Sequence, residues 1–200
     1  MCVLSNLQIV DSLKSGNLVI EPEPSINPDV DGSPYDTCSV QLHIDNEILV
    51  PKKDLRLSFD LSYPGELSNT LDSVCTKNSI PATGYVLEPG SFILAKTKEK
   101  VGFPLHSAQK PLAGRIEGRS SFARTGLLVH FTAPTLHAGW TGHITLELLN
   151  HGPLSLTLRP GLAICQLIVE TVKGYVIPNS GQQFNNQATP SGRQLEPQTE

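Results

Sequence analysis

Between Gly84 and Thr171 six apolar runs recur at short intervals: Tyr85–Leu87, Ser91–Ala95, Gly126–Phe131, His143–Leu149, Leu154–Leu158 and Ala163–Thr171. Turn signals punctuate them at Pro89-Gly90, Ala138-Gly139, His151-Gly-Pro153 and Pro160-Gly161. Runs this short are too brief for ordinary helices but match the length of strands, and the spacing predicts an all-β barrel or sandwich closed by tight turns. Sixteen prolines and sixteen glycines, with only 17% charged residues, argue against a helical bundle in the same way. At 200 residues the chain fits one domain, large enough to bury about two thirds of its unfolded surface.

The first half is less regular. Ser5 to Ser15 reads as a helix: Ser5 can cap it, Gln8 stands at the capping-box position and Gly16 stops it. Asn17–Pro22 is expected to be extended, and the Pro-, Asp- and Asn-rich stretch 21–34 to be an irregular loop. Ser39–Ile44 alternates apolar and polar, and Asp45-Asn46 is expected to turn that strand back into Glu47–Val50 as a hairpin. Residues 51–80 show no sustained period and read as loop, with short strands or a helical turn. After Gly174 the chain is dominated by Asn, Gln, Ser, Gly and Pro, so residues 1–174 form the expected domain and 175–200 a polar tail, either disordered or a mobile flap.

Several function classes fall away on composition. Cys2, Cys38, Cys75 and Cys165 are scattered, with no CxxC pair, which argues against a zinc site and against a secreted disulfide framework and favours a reducing cytoplasm. The N-terminus has no basic region followed by an apolar run, and no segment approaches about 18 apolar residues, so neither a leader nor a membrane span is expected. A formal charge of −4 and a pI near 5.8 exclude the broad basic face that long nucleic acids require, so any phosphate binding must be local.

One segment concentrates chemistry. Gly118-Arg-Ser-Ser-Phe-Ala-Arg-Thr-Gly126 places Arg119, Ser120, Ser121 and Arg124 together, planar fork donors beside small hydroxyls, as a polyanionic ligand requires. The spacing suits a turn into a short helix whose free amides can also meet phosphate; the alternative is a pair of surface ion pairs with Glu117 or another acid. The flanking glycines either permit close approach to a ligand or mark two plain turns. In His143–Leu149, strand alternation puts Ile144, Leu146 and Leu148 on one face and His143, Thr145 and Glu147 on the other. Alone, Glu147 reads as an ordinary exposed strand glutamate; beside the arginine–serine cluster it reads as a proton acceptor for water attack on a base.

These residues also carry a family resemblance. The run Gly118–Leu127, then Val129-His-Phe-Thr-Ala133, Gly139-Trp-Thr-Gly142, Ile144-Thr-Leu-Glu147, Asn150 and Arg159-Pro-Gly-Leu162 resembles the dCTP deaminases of the trimeric dUTPase superfamily. Weaker likenesses at Leu4–Ile9, Gly16, Ile20-Glu-Pro22 and Tyr35-Asp36 extend it over most of the chain. The resemblance implies a distorted dUTPase-like β-barrel with an N-terminal helix, assembled as a homotrimer with active sites between subunits. It implies conversion of dCTP to dUTP and ammonia without zinc, feeding thymidylate synthesis, with Mg2+ carried on the triphosphate and no metal held by the protein. By carry-over, Glu147 is the general acid and base and Arg124 orients it and the water. Arg119, Ser120 and Ser121 hold phosphates, the backbone around Val129, His130, Thr132 and Ala133 reads the cytosine edge, and Gln166 meets phosphate from another subunit. Trp140 either packs beside the sugar or plugs the barrel. Gln187, in Gln182–Gln187, falls where the family's C-terminal segment closes over the triphosphate.

The departures keep two alternatives open. Where the family carries Asp-Pro-Gly before the aromatic, this chain has His137-Ala-Gly, and Thr135 stands where many members carry a basic residue. The aspartate activates water for dUTP hydrolysis in bifunctional relatives. A bifunctional deaminase and diphosphatase yielding dUMP therefore requires His137 to act as the base, a histidine that otherwise reads as a surface residue at a turn. A non-catalytic deoxynucleotide-binding trimer is the second alternative. His43, His106, His130, His143 and His151 show no metal-ligand spacing.

Overall fold

Thirteen strands and three helices make up the computed structural model, which describes residues 2–25, 27–53, 55, 57–63, 66–106, 110–178 and 184–194. In chain order they are β1 (Cys2–Val3), α1 (Asn6–Lys14), β2 (Val19–Glu21), β3 (Tyr35–Asp36), β4 (Ser39–Pro51), α2 (Leu67–Val74) and β5 (Cys75–Ser79). There follow β6 (Tyr85–Leu87), β7 (Phe92–Gly102), β8 (Leu112–Gly118), α3 (Ser120–Ala123), β9 (Leu127–Leu128), β10 (Thr135–Leu136), β11 (Thr141–Asn150), β12 (Leu156–Leu158) and β13 (Ala163–Thr171). Eleven strands join one sheet along the path β10-β8-β13-β4-β7-β11-β9, with β1, β2, β3 and β5 branching from it, while β6 and β12 pair apart. The sheet curls into a half-barrel, the mainly β architecture expected from the turn-punctuated runs.

The helix starts as its sequence dictates. The Ser5 amide donates to Gln8 Oε1 at 3.1 Å and the Gln8 amide to Ser5 Oγ at 3.4 Å, a reciprocal capping box, and Ile9, Val10 and Leu13 turn inward. The concave side of the sheet is filled by alternating residues of the long strands: Leu42, Ile44 and Ile48 of β4, Ile93 and Ala95 of β7, Ile144, Leu146 and Leu148 of β11, and Ile164 and Leu167 of β13. Asn150, wholly buried at the end of β11, is satisfied three ways: its Nδ2 donates to the carbonyls of Leu87 and Leu154, and its Oδ1 accepts from the Gly152 amide.

The expected hairpin at Asp45-Asn46 does not form. β4 runs unbroken for 13 residues, pairing with β13 through Val40–His43 and with β5 and β7 through Glu47–Pro51 and Ile44–Leu49. Its register against β7 shifts between Ile44 and Ile48, so the two polar residues bend one strand around the barrel corner instead of reversing it. Asp45 Oδ1 accepts the Glu47 amide at 3.2 Å and the Asn46 carbonyl accepts the Ile80 amide at 2.7 Å, supplying partners at the bend. Other differences are of extent. Gly126–Phe131 pairs only through Leu127–Leu128, β7 continues to Gly102, β8 arises from a stretch with no apolar run, and residues 51–80 yield α2 and β5.

The tail divides at the edge of the description. Gln182 and Gln183 lie outside the described residues. From Phe184 to Gln194 the chain lies along the start of β11: Gln187 bridges Gly142, the Asn186 amide donates to the Thr141 carbonyl at 2.7 Å and the His143 amide to the Gln187 carbonyl at 2.9 Å. Among the described residues, no helix is long and apolar enough to cross a membrane, and all four cysteines are free thiols, Cys75 and Cys165 buried, Cys2 and Cys38 exposed.

Candidate active site

β11 presents Thr145 and Glu147 on the face opposite its core residues, as strand alternation requires. That face is not open solvent: it floors a cavity of about 600 Å³. β7 and α2 supply Phe92, Leu94, Leu67 and Leu71 to one side, the segment 133–137 supplies Ala133, Thr135, Leu136 and His137, and Trp140, Phe184, Gln187 and Pro190–Gly192 close the remainder. The walls are predominantly apolar, with a few convergent polar groups, the composition of a small-molecule site.

The surroundings fix the state of the carboxyl. Burial pushes Glu147 above the ordinary glutamate range, with the Phe131 backbone and the His130 ring partly opposing it. A carboxyl raised this way holds a proton more readily than an exposed one, which suits a group that must both take and return one. Two buried polar atoms close by have no hydrogen-bond partner among the described residues: Thr145 Oγ1, beside Glu147 on the cavity floor, and His130 Nδ1. An orphan of this kind costs about 1–3 kcal/mol until a ligand or water satisfies it, and the Thr145 hydroxyl offers such a group on the cavity floor.

Of the residues singled out from sequence, Glu147, Ala133, Trp140 and Gln187 line this cavity. Val129 is buried in the core and His130 half-buried beside Glu147, while Thr132 is exposed on the loop between β9 and β10. Trp140 is 6% exposed, so it plugs the barrel and still shows one surface to the cavity; its Nε1 donates to the Phe184 carbonyl at 2.9 Å and so holds the tail. Gln187 is buried as well, its Nε2 donating to the His143 carbonyl at 2.6 Å. Thr135 and His137, the two departures, both stand in the cavity wall.

The arginine–serine cluster stands elsewhere. Arg119 caps the one-turn helix α3, on which Ser120 and Ser121 are exposed, and Arg124 ends it, also exposed. None of these four lines the Glu147 cavity of the same chain, and neither does Gln166. Gln166 lies on β13 opposite Gln41 of β4 and Glu117 of β8, with its Oε1 accepting from Ser39 Oγ at 3.0 Å. The ion-pair alternative does not hold among the described residues: Glu117 is taken by Arg115 at 2.9 Å, and Arg119 donates to the Ala163 carbonyl at 3.0 Å with its guanidinium 5.3 Å from the Phe122 ring centre. Gly126, at φ +90°, is required by the protein itself, because a Cβ there would lie 2.3 Å from the Gly152 nitrogen. Thr145 is the residue that sequence reasoning placed on the right face without assigning it a role; its alternation with Glu147 is the signal that marks it.

Comparison with known proteins identifies the family. Residues 3–172 match the model of the family described as dCTP deaminase-like. A dCTP deaminase of Thermomicrobium roseum is 33% identical over 168 residues, 84% of this chain and 79% of that protein. One of Shewanella sp. strain W3-18-1 is 38% identical over 176 residues, 86% of each. Among solved structures, the 2'-deoxycytidine 5'-triphosphate deaminase of Agrobacterium tumefaciens superposes with a TM-score of 0.60 at 19% identity, over 84% of this chain and 46% of that one, so this chain spans just under half its length. The barrel, the cavity carboxylate and the matched 3–172 span lead to one assignment: the chain belongs to the dCTP deaminase-like family.

Proposed function

We propose that this protein is a hydrolase that converts dCTP and water to dUTP and ammonia, and that Glu147 carries the protons. The observation that carries the reading is the Glu147 carboxyl, raised by burial on the floor of an apolar cavity beside two unpartnered polar atoms. The names of the curated relatives support the substrate. Deamination at C4 requires an attacking water to lose a proton and the departing amine to gain one. Glu147 takes the first from water and delivers it to the amine, while the apolar walls keep other water away. The backbone of residues 129–133, next to Glu147, reads the N3 and O2 edge of the base, and Trp140 packs beside the sugar.

The phosphates need cationic donors, and among the described residues no arginine or lysine of the same chain lines this cavity. Arg119, Ser120, Ser121 and Arg124 are grouped and largely exposed at α3, outside their own chain's cavity. In a homotrimer the cluster of one subunit faces the cavity of the next, bringing Arg124 to Glu147, with Gln166 approaching the phosphates and Gln187 closing the mouth. A symmetric ring of heterologous contacts gives three equal sites. Mg2+ enters with the triphosphate and neutralises it, and in this reading the Glu147 carboxyl, not a zinc ion, activates the water. Four free thiols suit a reducing cytoplasm, where the dUTP formed supplies thymidylate synthesis.

The test is turnover of dCTP with Mg2+, with nucleotides separated by ion exchange and ammonia assayed in parallel. The expected product is dUTP with equimolar ammonia, and Glu147→Gln is expected to bind dCTP and release none. Direct formation of dUMP would show that His137, which stands in the cavity wall, activates water for a second reaction. Binding without turnover by the unaltered protein would replace the enzyme with a nucleotide-binding trimer.

A further inference from the structure

β11 has different neighbours on its two edges. β9 and the loop leading from it lie on one side, and β7 on the other. Glu147 is directly opposite Leu94, and Leu149 opposite Phe92, so the side chains of each pair share a face of the sheet. Leu94 is 5% exposed and packs with Leu71 of α2, which lines the cavity together with Leu67. The groups able to read a pyrimidine edge, the Phe131 backbone and the His130 ring, act on Glu147 from the β9 side. On the β7 side the cavity wall is built of Leu67, Leu71, Phe92 and Leu94.

This asymmetry has a chemical counterpart in cytosine. C4 lies between N3 and C5 in the ring plane. With C4 over Glu147 and N3 and O2 turned to the 129–133 loop, C5 is directed at the leucines, where an unmodified base offers only a C–H. We propose that the cavity accepts deoxycytidine triphosphates bearing a small alkyl group at C5 and deaminates them, as it does dCTP. The inference rests on the deaminase reading above and adds the substrate class. For 5-methyl-dCTP the water oxygen bonds to C4 and the C4–N4 bond breaks; Glu147 passes one proton of water to the departing amine, which leaves as ammonia, and the other ends on N3 as the C4 carbonyl forms. The methyl group is untouched, and thymidine triphosphate is released with no co-reactant besides water.

The experiment compares kcat/KM for dCTP and 5-methyl-dCTP by ammonia release, with Mg2+ present, in the unaltered 200-residue protein. One buried methyl is expected to favour the substituted substrate about fourfold. Leu71→Trp fills the wall from a half-buried position on α2 and is expected to lower the ratio of 5-methyl-dCTP to dCTP efficiency at least tenfold; Leu71→Phe, a milder change, lowers it less. A general loss of structure would depress both substrates and leave their ratio alone. Turnover of dCTP but not of 5-methyl-dCTP, or a ratio unmoved by both substitutions while dCTP turnover is retained, overturns the inference and leaves the deaminase reading standing. Failure of both substrates removes the two together.

Discussion

Removing two side-chain contacts of the tail, Asn185→Ala with Gln187→Ala, loosens the docked segment on the barrel without touching Glu147. Asn185 Oδ1 accepts the Thr141 amide at 2.9 Å, and Gln187 Nε2 donates to the His143 carbonyl at 2.6 Å. Each bond contributes about 1 kcal/mol net of water, so the pair contributes about 2 kcal/mol, or roughly a thirtyfold shift in the docking equilibrium. The backbone links from Asn186 to Thr141 and from His143 to Gln187, and the Trp140 bond to the Phe184 carbonyl, remain available, so the tail is loosened and not abolished. Hydrogen exchange reads the change locally: protection of the Asn186 and His143 amides falls about thirtyfold, while the middle of β11, around Leu146, is unaffected. Trp140, the only tryptophan, reports in parallel by a red shift of its emission. Unchanged protection at Asn186 and His143 would refute the view that these side chains hold the tail, and loss of protection along all of β11 would show that the tail is integral to the strand.

Two further outcomes test the site. Chains carrying Arg119→Ala and chains carrying Glu147→Gln, each inactive alone, are expected to regain dCTP turnover when unfolded and refolded together, since a site between subunits can draw an intact member from each; no recovery would place both groups in one chain's site. Because burial raises the Glu147 pKa in the folded state, ionising it costs stability: the wild type is most stable relative to the variant below the ordinary glutamate range and loses ground as pH rises through the folded value. Glu147→Gln is therefore expected to be the more stable form at pH 7–8, its advantage in urea midpoint fading toward pH 4, and a pH-independent difference would contradict the burial argument.

Short-range signals were readable where one residue type decides the outcome. Ser5 with Gln8 set the helix start, and alternation from Ile144 to Leu148 put Glu147 on the right face. Asp45-Asn46 shows the opposite case: the dipeptide favours a turn locally, yet pairing with β13 on one side and β5 and β7 on the other holds it in a single bent strand. β8, Leu-Ala-Gly-Arg-Ile-Glu-Gly, carries little apolar signal because Gly114 is required by the Phe103 ring, 2.5 Å from where a Cβ would stand, and a glycine there is silent in any hydrophobic pattern. For the candidate site, the carboxylate was visible in the strand pattern, while the arginine–serine cluster, equally visible as a motif, stands outside the cavity of its own chain. The apolar wall of Leu67, Leu71 and Leu94 was not visible, because it joins an unpatterned segment to a strand more than twenty residues away.

The unbroken β4 has a consequence for how the molecule comes apart. At about 3.3 Å per residue it extends roughly 40 Å, and it is the member through which β13 and β8 on one side are joined to β7 and β11 on the other. With one strand shared by both flanks, neither can open while the other stays intact. The barrel should melt in a single cooperative step, and a backbone cut between Asp45 and Asn46 should release both halves at once.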